Sequence, residues 1–348
     1  MSSPFSQTSA TTSSSSSTPD AGSPPVTSGR VGSTSAPGAD PVRQLEESIE
    51  RIIVGKRQVV RLTIAALLAR GHVLIEDVPG VGKTTLAHAL ARSLDCSFQR
   101  IQFTNDLLPS DIVGVSVFDS KTGEFSFKPG PLFANVVLAD EINRTTPKTQ
   151  SCLLEAMNEA QVSVDGRTYA LPKPFLIIAT QNPVEYHGTF PLPESQMDRF
   201  MVRLRMGYPS SADERRILTS GNPALSVMQM DSVLHGADII QIQNRVETVR
   251  VDGSIVDYLL RLVEVTRSSP LIELGISPRG ALALYRLCQA FALVEGRDYC
   301  IPDDVKQLAL PALAHRLILS SKVNPTGRGG MQAGEILGEL MDSVPVPV

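Results

Sequence analysis

Glu76-Asp-Val-Pro-Gly-Val-Gly-Lys-Thr-Thr85 follows the apolar run His72-Val-Leu-Ile75 and opens the helical stretch Lys83 to Leu94. A short apolar run, a glycine-bearing turn and then a helix make a setting in which main-chain amides and the positive end of a helix face an anion. Gly80 and Gly82 let the backbone curl so that its N–H groups point at phosphate oxygens. Lys83 is placed to reach the outer phosphates, and the Thr84 hydroxyl to ligate Mg²⁺. Pro79, Gly80, Val81, Gly82, Lys83, Thr84 and Thr85 are therefore the expected nucleotide-binding residues. Asp77 stands where the pattern G-x-x-x-x-G-K-[ST] has its first glycine, a position that leads into the loop without clasping phosphate.

Outward from this stretch, short apolar runs alternate with helical segments. His72–Glu76, Phe98–Phe103, Asn135–Asp140, Phe175–Thr180 and Met201–Met206 read as five strands, most of them followed by helices. Strands spaced by helices predict crossover units, hence an α/β fold with a five-stranded, mainly parallel sheet. Val136-Val-Leu-Ala-Asp-Glu141 ends one such strand with two acids. In a parallel sheet the strand C-termini meet at the ligand crevice, so both acids arrive beside the loop. Asp140 suits the Mg²⁺ shell, and Glu141 is placed to polarise an attacking water.

Past Pro209 the strand signal largely disappears, and helical periodicity predicts a smaller all-α domain. The expected organisation is a Ser/Thr/Pro-rich disordered tail over 1–41, an α/β nucleotide-binding domain over 42–208 and an α-helical domain over 209–343. Within the tail, a phosphorylated or partner-binding arm is the functional alternative.

Composition sets bounds on the rest. The 348 residues carry 32 Lys+Arg against 36 Asp+Glu, a net charge of -4, so nothing global drives the chain onto nucleic acid or anionic lipid. Cys96, Cys152, Cys288 and Cys300 form no metal spacing and read as reduced thiols; the five histidines likewise carry no metal pattern. No apolar run is long enough to span a membrane and no secretory signal opens the chain, which points to the cytoplasm.

Six stretches in order resemble the AAA+ ATPases and, within them, the MoxR-like group: Ile75–Thr84, Leu138–Arg144, Pro147–Gln150, Ala179–Pro183, Pro191–Phe200 and Gly275–Arg279. The resemblance covers about residues 42 to 320 and implies a nucleotide-binding core followed by a helical lid. It implies ATP and Mg²⁺ as cofactors and a ring of identical copies, hexameric in the family. Asn182 matches the residue holding the attacking water or the γ-phosphate, although an Asn before Pro183 alone reads as a turn. Arg199 matches the arginine finger that reaches a neighbouring subunit's nucleotide; the plain alternative is a surface Arg paired with Asp198 or Glu194. Arg279 matches the lid arginine that contacts phosphate on closure. Val54 and Gly55 resemble the segment lining the adenine pocket, with ordinary helix packing as the alternative.

Phe118–Phe125, with Gly123 in its turn, and Gln161–Tyr169, around Asp165-Gly166, read as hairpins. By resemblance they face a pore or partner; surface hairpins are the alternative. The family also implies a chaperone that remodels a client, with a von Willebrand factor A domain partner, in metal insertion or complex assembly. A nucleic-acid motor and an ATP-binding regulatory switch are the competing functions. The mixed signs of Asp119, Lys121, Glu124, Asp165 and Arg167 disfavour the motor.

Overall fold

The computed structural model describes residues 40–182, 189–221, 223–321 and 330–347. The expected tail lies outside the described residues except for Asp40 and Pro41, as do Pro183 and His187.

Asp40 caps the first helix: its carboxylate accepts from the Val42 N–H at 3.0 Å. The elements that follow are α1 (Pro41–Glu50), α2 (Arg57–Leu68), β1 (Val73–Glu76), α3 (Lys83–Ser93), β2 (Phe98–Gln102) and α4 (Pro109–Val113). A hairpin of β3 (Gly114–Asp119) and β4 (Glu124–Pro129) precedes β5 (Val136–Asp140) and α5 (Pro147–Glu159). A second hairpin, β6 (Gln161–Val164) and β7 (Arg167–Ala170), leads to β8 (Leu176–Gln181), α6 (Glu194–Met197) and β9 (Val202–Leu204). Asp165 and Gly166 both have positive φ, 51° and 74°, as the two-residue hairpin turn requires.

Five strands form one parallel sheet in the order β2-β5-β8-β1-β9. Alternating side chains divide between two cores. Val73, Ile75, Val136, Leu138, Leu176 and Ile178 face one side with α2 and α3. Leu74, Val137, Ala139, Ile177 and Ala179 face the other with α5. Burial on both faces explains why these strands read as continuous apolar runs.

Beyond β9 come α7 (Ser211–Thr219), α8 (Pro223–Met228), α9 (Gly236–Val246), α10 (Gly253–Ser268), β10 (Ile272–Leu274), α11 (Pro278–Val294), α12 (Pro302–Leu313), β11 (Ile318–Leu319) and α13 (Gly330–Ser343). The all-α expectation is corrected here, because β10 and β11 pair antiparallel. Helix α12 ends at Leu313, where the chain turns so that His315 Nε2 and Arg316 Nη2 donate to the Phe200 carbonyl at 3.0 and 2.6 Å. Val344, after the last helix, is buried.

The C-terminal helices share the core of the first sheet face. α11 packs along α2, with the Arg61 guanidinium 5.2 Å from the Phe291 ring centroid and paired with Glu295 at 2.5 Å. Gln243 of α9 donates to the Leu67 carbonyl at 2.7 Å. The two helices run antiparallel, which brings the N-terminus of α11 to the C-terminal end of α2.

Candidate functional site

β1 delivers the chain into the glycine loop at its C-terminal end, and Gly82 sits immediately before α3. Gly80 and Gly82 hold φ at 85° and 98°, left-handed values that cost a side-chain-bearing residue steric energy. Lys83 Nζ donates to the Asp77 carbonyl at 2.7 Å, laying its stem across the loop. Burial lowers the Lys83 ammonium's pKa, while Asp140, Asp77 and Glu141 oppose that shift. Asp77 does more than replace a glycine: its Oδ1 accepts from Val78 N–H at 2.9 Å and its Oδ2 from Gly207 N–H at 2.6 Å. The start of the loop is thereby fastened to the segment after β9.

Asp140 and Glu141 arrive together at the end of β5. Thr180 on the adjacent β8 serves both, donating its hydroxyl to Asp140 Oδ1 at 2.6 Å and accepting the Glu141 N–H at 2.9 Å. Glu141 is left-handed, with φ 58° and ψ 47°, a conformation rarely kept without surrounding support. Its Oε2 accepts from Gln102 Nε2 at 2.9 Å and stands 3.0 Å from Arg144 Nε. Asp140 Oδ2 accepts from Arg100 at 2.5 and 3.1 Å. Asn182, buried, follows β8 on the same edge of the sheet. The donor set fits a magnesium nucleotide: a hydroxyl at Thr84 and carboxylates at Asp140 and Glu141 are the hard oxygens Mg²⁺ takes, with Lys83 for phosphate.

Sequence reasoning passed over Thr180, Arg100 and Gln102. Thr180 lay inside a quoted motif; Arg100 and Gln102 alternate along β2 on one face, but only the strand order reveals that β5 is their neighbour.

Arg199 and Arg279 lie elsewhere. Arg199 precedes β9, whose Val202 pairs with Val73 at the start of β1, so it stands off the strand N-termini, at the end of the sheet away from Lys83. Its Nη1 donates to the Leu154 carbonyl at 2.6 Å, whereas Asp198 pairs with Arg316 at 3.5 Å and accepts from Ser277 at 3.2 Å. Arg279 donates to Asn158 Oδ1. Both arginines line a cavity of about 320 Å³ with Asn158, Arg286 and Arg316. Burial first, and then the neighbouring Arg279, lower the Arg199 pKa. Antiparallel docking of α11 on α2 carries Arg279 to the end of the sheet opposite its own chain's Lys83.

Val54 is half-buried and Gly55 exposed, at the turn before α2. Gly55 has φ 72° and lies against Asp213 of α7, and Lys56 Nζ donates to the Tyr208 carbonyl at 2.8 Å.

Residues 72–202 match the ATPase family associated with various cellular activities (AAA), and residues 264–339 match the AAA lid domain. The chain is 52% identical over 302 residues to Uncharacterized protein YeaC of Bacillus subtilis, which spans 87% of this chain and 93% of the relative. Identity to Chaperone MoxR1 of Mycobacterium tuberculosis is 42% over 291 residues, 80% of this chain and 77% of the relative. The crystal structure of a candidate ATPase from Cytophaga hutchinsonii aligns with a TM-score of 0.79 at 36% identity, covering 88% of this chain and 95% of the other.

Proposed function

The chain belongs to the MoxR-like AAA+ ATPases, and from that premise we propose that it hydrolyses ATP with Mg²⁺ in a ring of its own copies and thereby remodels a partner protein. The observation that carries the reading is that the glycine loop with Lys83 and the pair Asp140-Glu141 leave the same C-terminal edge of the sheet, from β1 and β5 on either side of β8. Residues 42–208 act as the nucleotide-binding part and 209–343 as the lid.

Main-chain amides of residues 80–85 and Lys83 hold the phosphates, while Thr84 and Asp140 hold the metal. Bound Mg²⁺ supplies neutralisation of the phosphate charge. Glu141 accepts the proton of the attacking water, held in place by Gln102 and Arg144 on one oxygen and by Thr180 through its backbone. Asn182 orients that water from the end of β8. Arg199 stands off the opposite end of the sheet, so it serves a neighbouring copy's nucleotide; such a residue contributes about 10³ to 10⁵ in rate in related phosphoryl transfers. Arg279 shares its cavity and therefore its assignment.

The first hairpin exposes Phe118 and Phe125, and Phe127 beside them stacks on Tyr169 of the second hairpin at 4.0 Å. Exposed aromatics on two joined hairpins, with charges of both signs, suit a protein client better than nucleic acid. A relative named a chaperone supports the same choice. The ring is hexameric, the partner a von Willebrand factor A domain protein, the task metal insertion or complex assembly, and the compartment the cytoplasm. Among the described residues no helix is long and apolar enough to cross a membrane.

Steady-state hydrolysis measured against chain concentration tests the catalytic part. Activity per chain rises as copies associate; a value independent of concentration across the dissociation range, or no turnover in assembled rings, contradicts it.

A further inference from the structure

Met206 to Ser210 forms a strap between the two halves of the nucleotide site. At one end the Met206 methyl would stand 3.7 Å from a Cβ placed on Gly82, and Gly207 donates its N–H to Asp77 Oδ2 at 2.6 Å. At the other end the Tyr208 carbonyl accepts from Lys56, and Ser210 caps α7 by accepting the Asp213 N–H at 3.2 Å. The strap thus links the glycine loop at Gly82 to the turn at Gly55. A ligand whose phosphates rest at Gly82 and Lys83 and that follows this strap lays its base at Gly55.

Asp213 waits there. Its carboxylate is pressed so close to Gly55 that a Cβ at that position would lie 2.2 Å from Oδ2. Ser210 Oγ donates to Oδ2 at 2.7 Å, and Arg216 Nη1 stands 3.6 Å from Oδ1. A carboxylate offers about four acceptor positions, so these contacts leave capacity for a further donor. Building on the nucleotide-binding reading above, we propose that the Asp213 carboxylate accepts a hydrogen bond from the exocyclic amino group of the base and so selects adenine over hypoxanthine and guanine nucleotides. Adenine presents a donor at its six-position. Hypoxanthine and guanine present a carbonyl oxygen there, which would face the carboxylate with no proton between them.

Displacement of a fluorescent ADP analogue from the full chain, titrated with ATP and with ITP, tests this. The unaltered chain binds ATP more tightly than ITP, roughly tenfold to a hundredfold, as loss of a hydrogen bond to a charged group implies. Asp213→Ala brings the ratio toward one. Asp213→Asn, which offers an amide donor, reverses it in favour of ITP. Ser210→Ala removes both the helix cap and one hydrogen bond to the carboxylate, so it lowers the preference less than Asp213→Ala does. Full ATP preference in a folded Asp213→Ala chain overturns the assignment, and so does an equal loss of preference in Ser210→Ala. Equal binding of ATP and ITP by the unaltered chain refutes base selection alone. Displacement by neither nucleotide refutes the nucleotide-binding reading and this assignment with it.

Discussion

Glu141 combines a rarely tolerated backbone conformation with a side chain held by two neighbours, and Thr180 is what secures its main chain. Replacing Glu141 with Gln keeps the shape and the Gln102 contact but removes the base. Nucleotide affinity should stay close to that of the unaltered chain while turnover falls about 10²- to 10⁴-fold, read by equilibrium binding beside phosphate release. Thr180→Val is the sharper test of geometry. It deletes the hydroxyl while nearly conserving volume, leaving the Glu141 N–H and one Asp140 oxygen without that partner. Stability should drop by about 1–3 kcal/mol in a urea titration, and turnover should fall although neither acid has been changed. Unchanged turnover would mean that the two acids do not depend on this hub.

Between elements, His72 joins α5 to β8. Its Nε2 donates to the Met157 carbonyl at 3.0 Å and its Nδ1 accepts the Ile177 N–H at 3.0 Å, so the neutral ring has one tautomer. Burial lowers its pKa from the ordinary 6.5 to about 4. The unfolded chain takes up this proton as pH falls below 6.5, whereas the folded chain does so only near 4. The associated stability is full above the unfolded value and is lost as pH falls through that window, about 3 kcal/mol from this ring alone. The urea midpoint should therefore decline steadily between pH ~6.5 and ~4. A His72→Phe chain should show a shallower decline, whatever its stability at neutral pH. Much at this scale was legible: five apolar runs gave five parallel strands, and Asp165-Gly166 gave a hairpin, because burial on both faces and a two-residue turn leave strong local signatures. Three-residue β10 and two-residue β11 left none. Helix α12 stopped short of its apolar periodicity because the Phe200 carbonyl drew His315 and Arg316 out of it, a contact across 115 and 116 residues.

Across the whole molecule, the phosphate loop, the acids and Asn182 were readable as motifs because each sits at a strand end, where a parallel sheet gathers them. The position of Arg279 was not readable, since it follows from antiparallel docking of α11 on α2 rather than from any local pattern. That docking also sets the logic of assembly. Each chain carries the loop and acids at one end of its sheet and Arg199 with Arg279 at the other, so under the proposed ring a site is completed only between copies. Lys83→Ala should abolish nucleotide binding in its own chain yet leave its arginines able to serve a neighbour. Arg199→Ala should bind nucleotide but hydrolyse it poorly. Each variant alone is then nearly inactive. Mixed in equal amounts and allowed to exchange, they should form interfaces of which about one quarter pair an intact loop with an intact arginine, restoring a comparable share of unaltered turnover. If the two sets of residues instead worked within one chain, no mixture could contain a complete site, and activity would stay at the level of the separate variants.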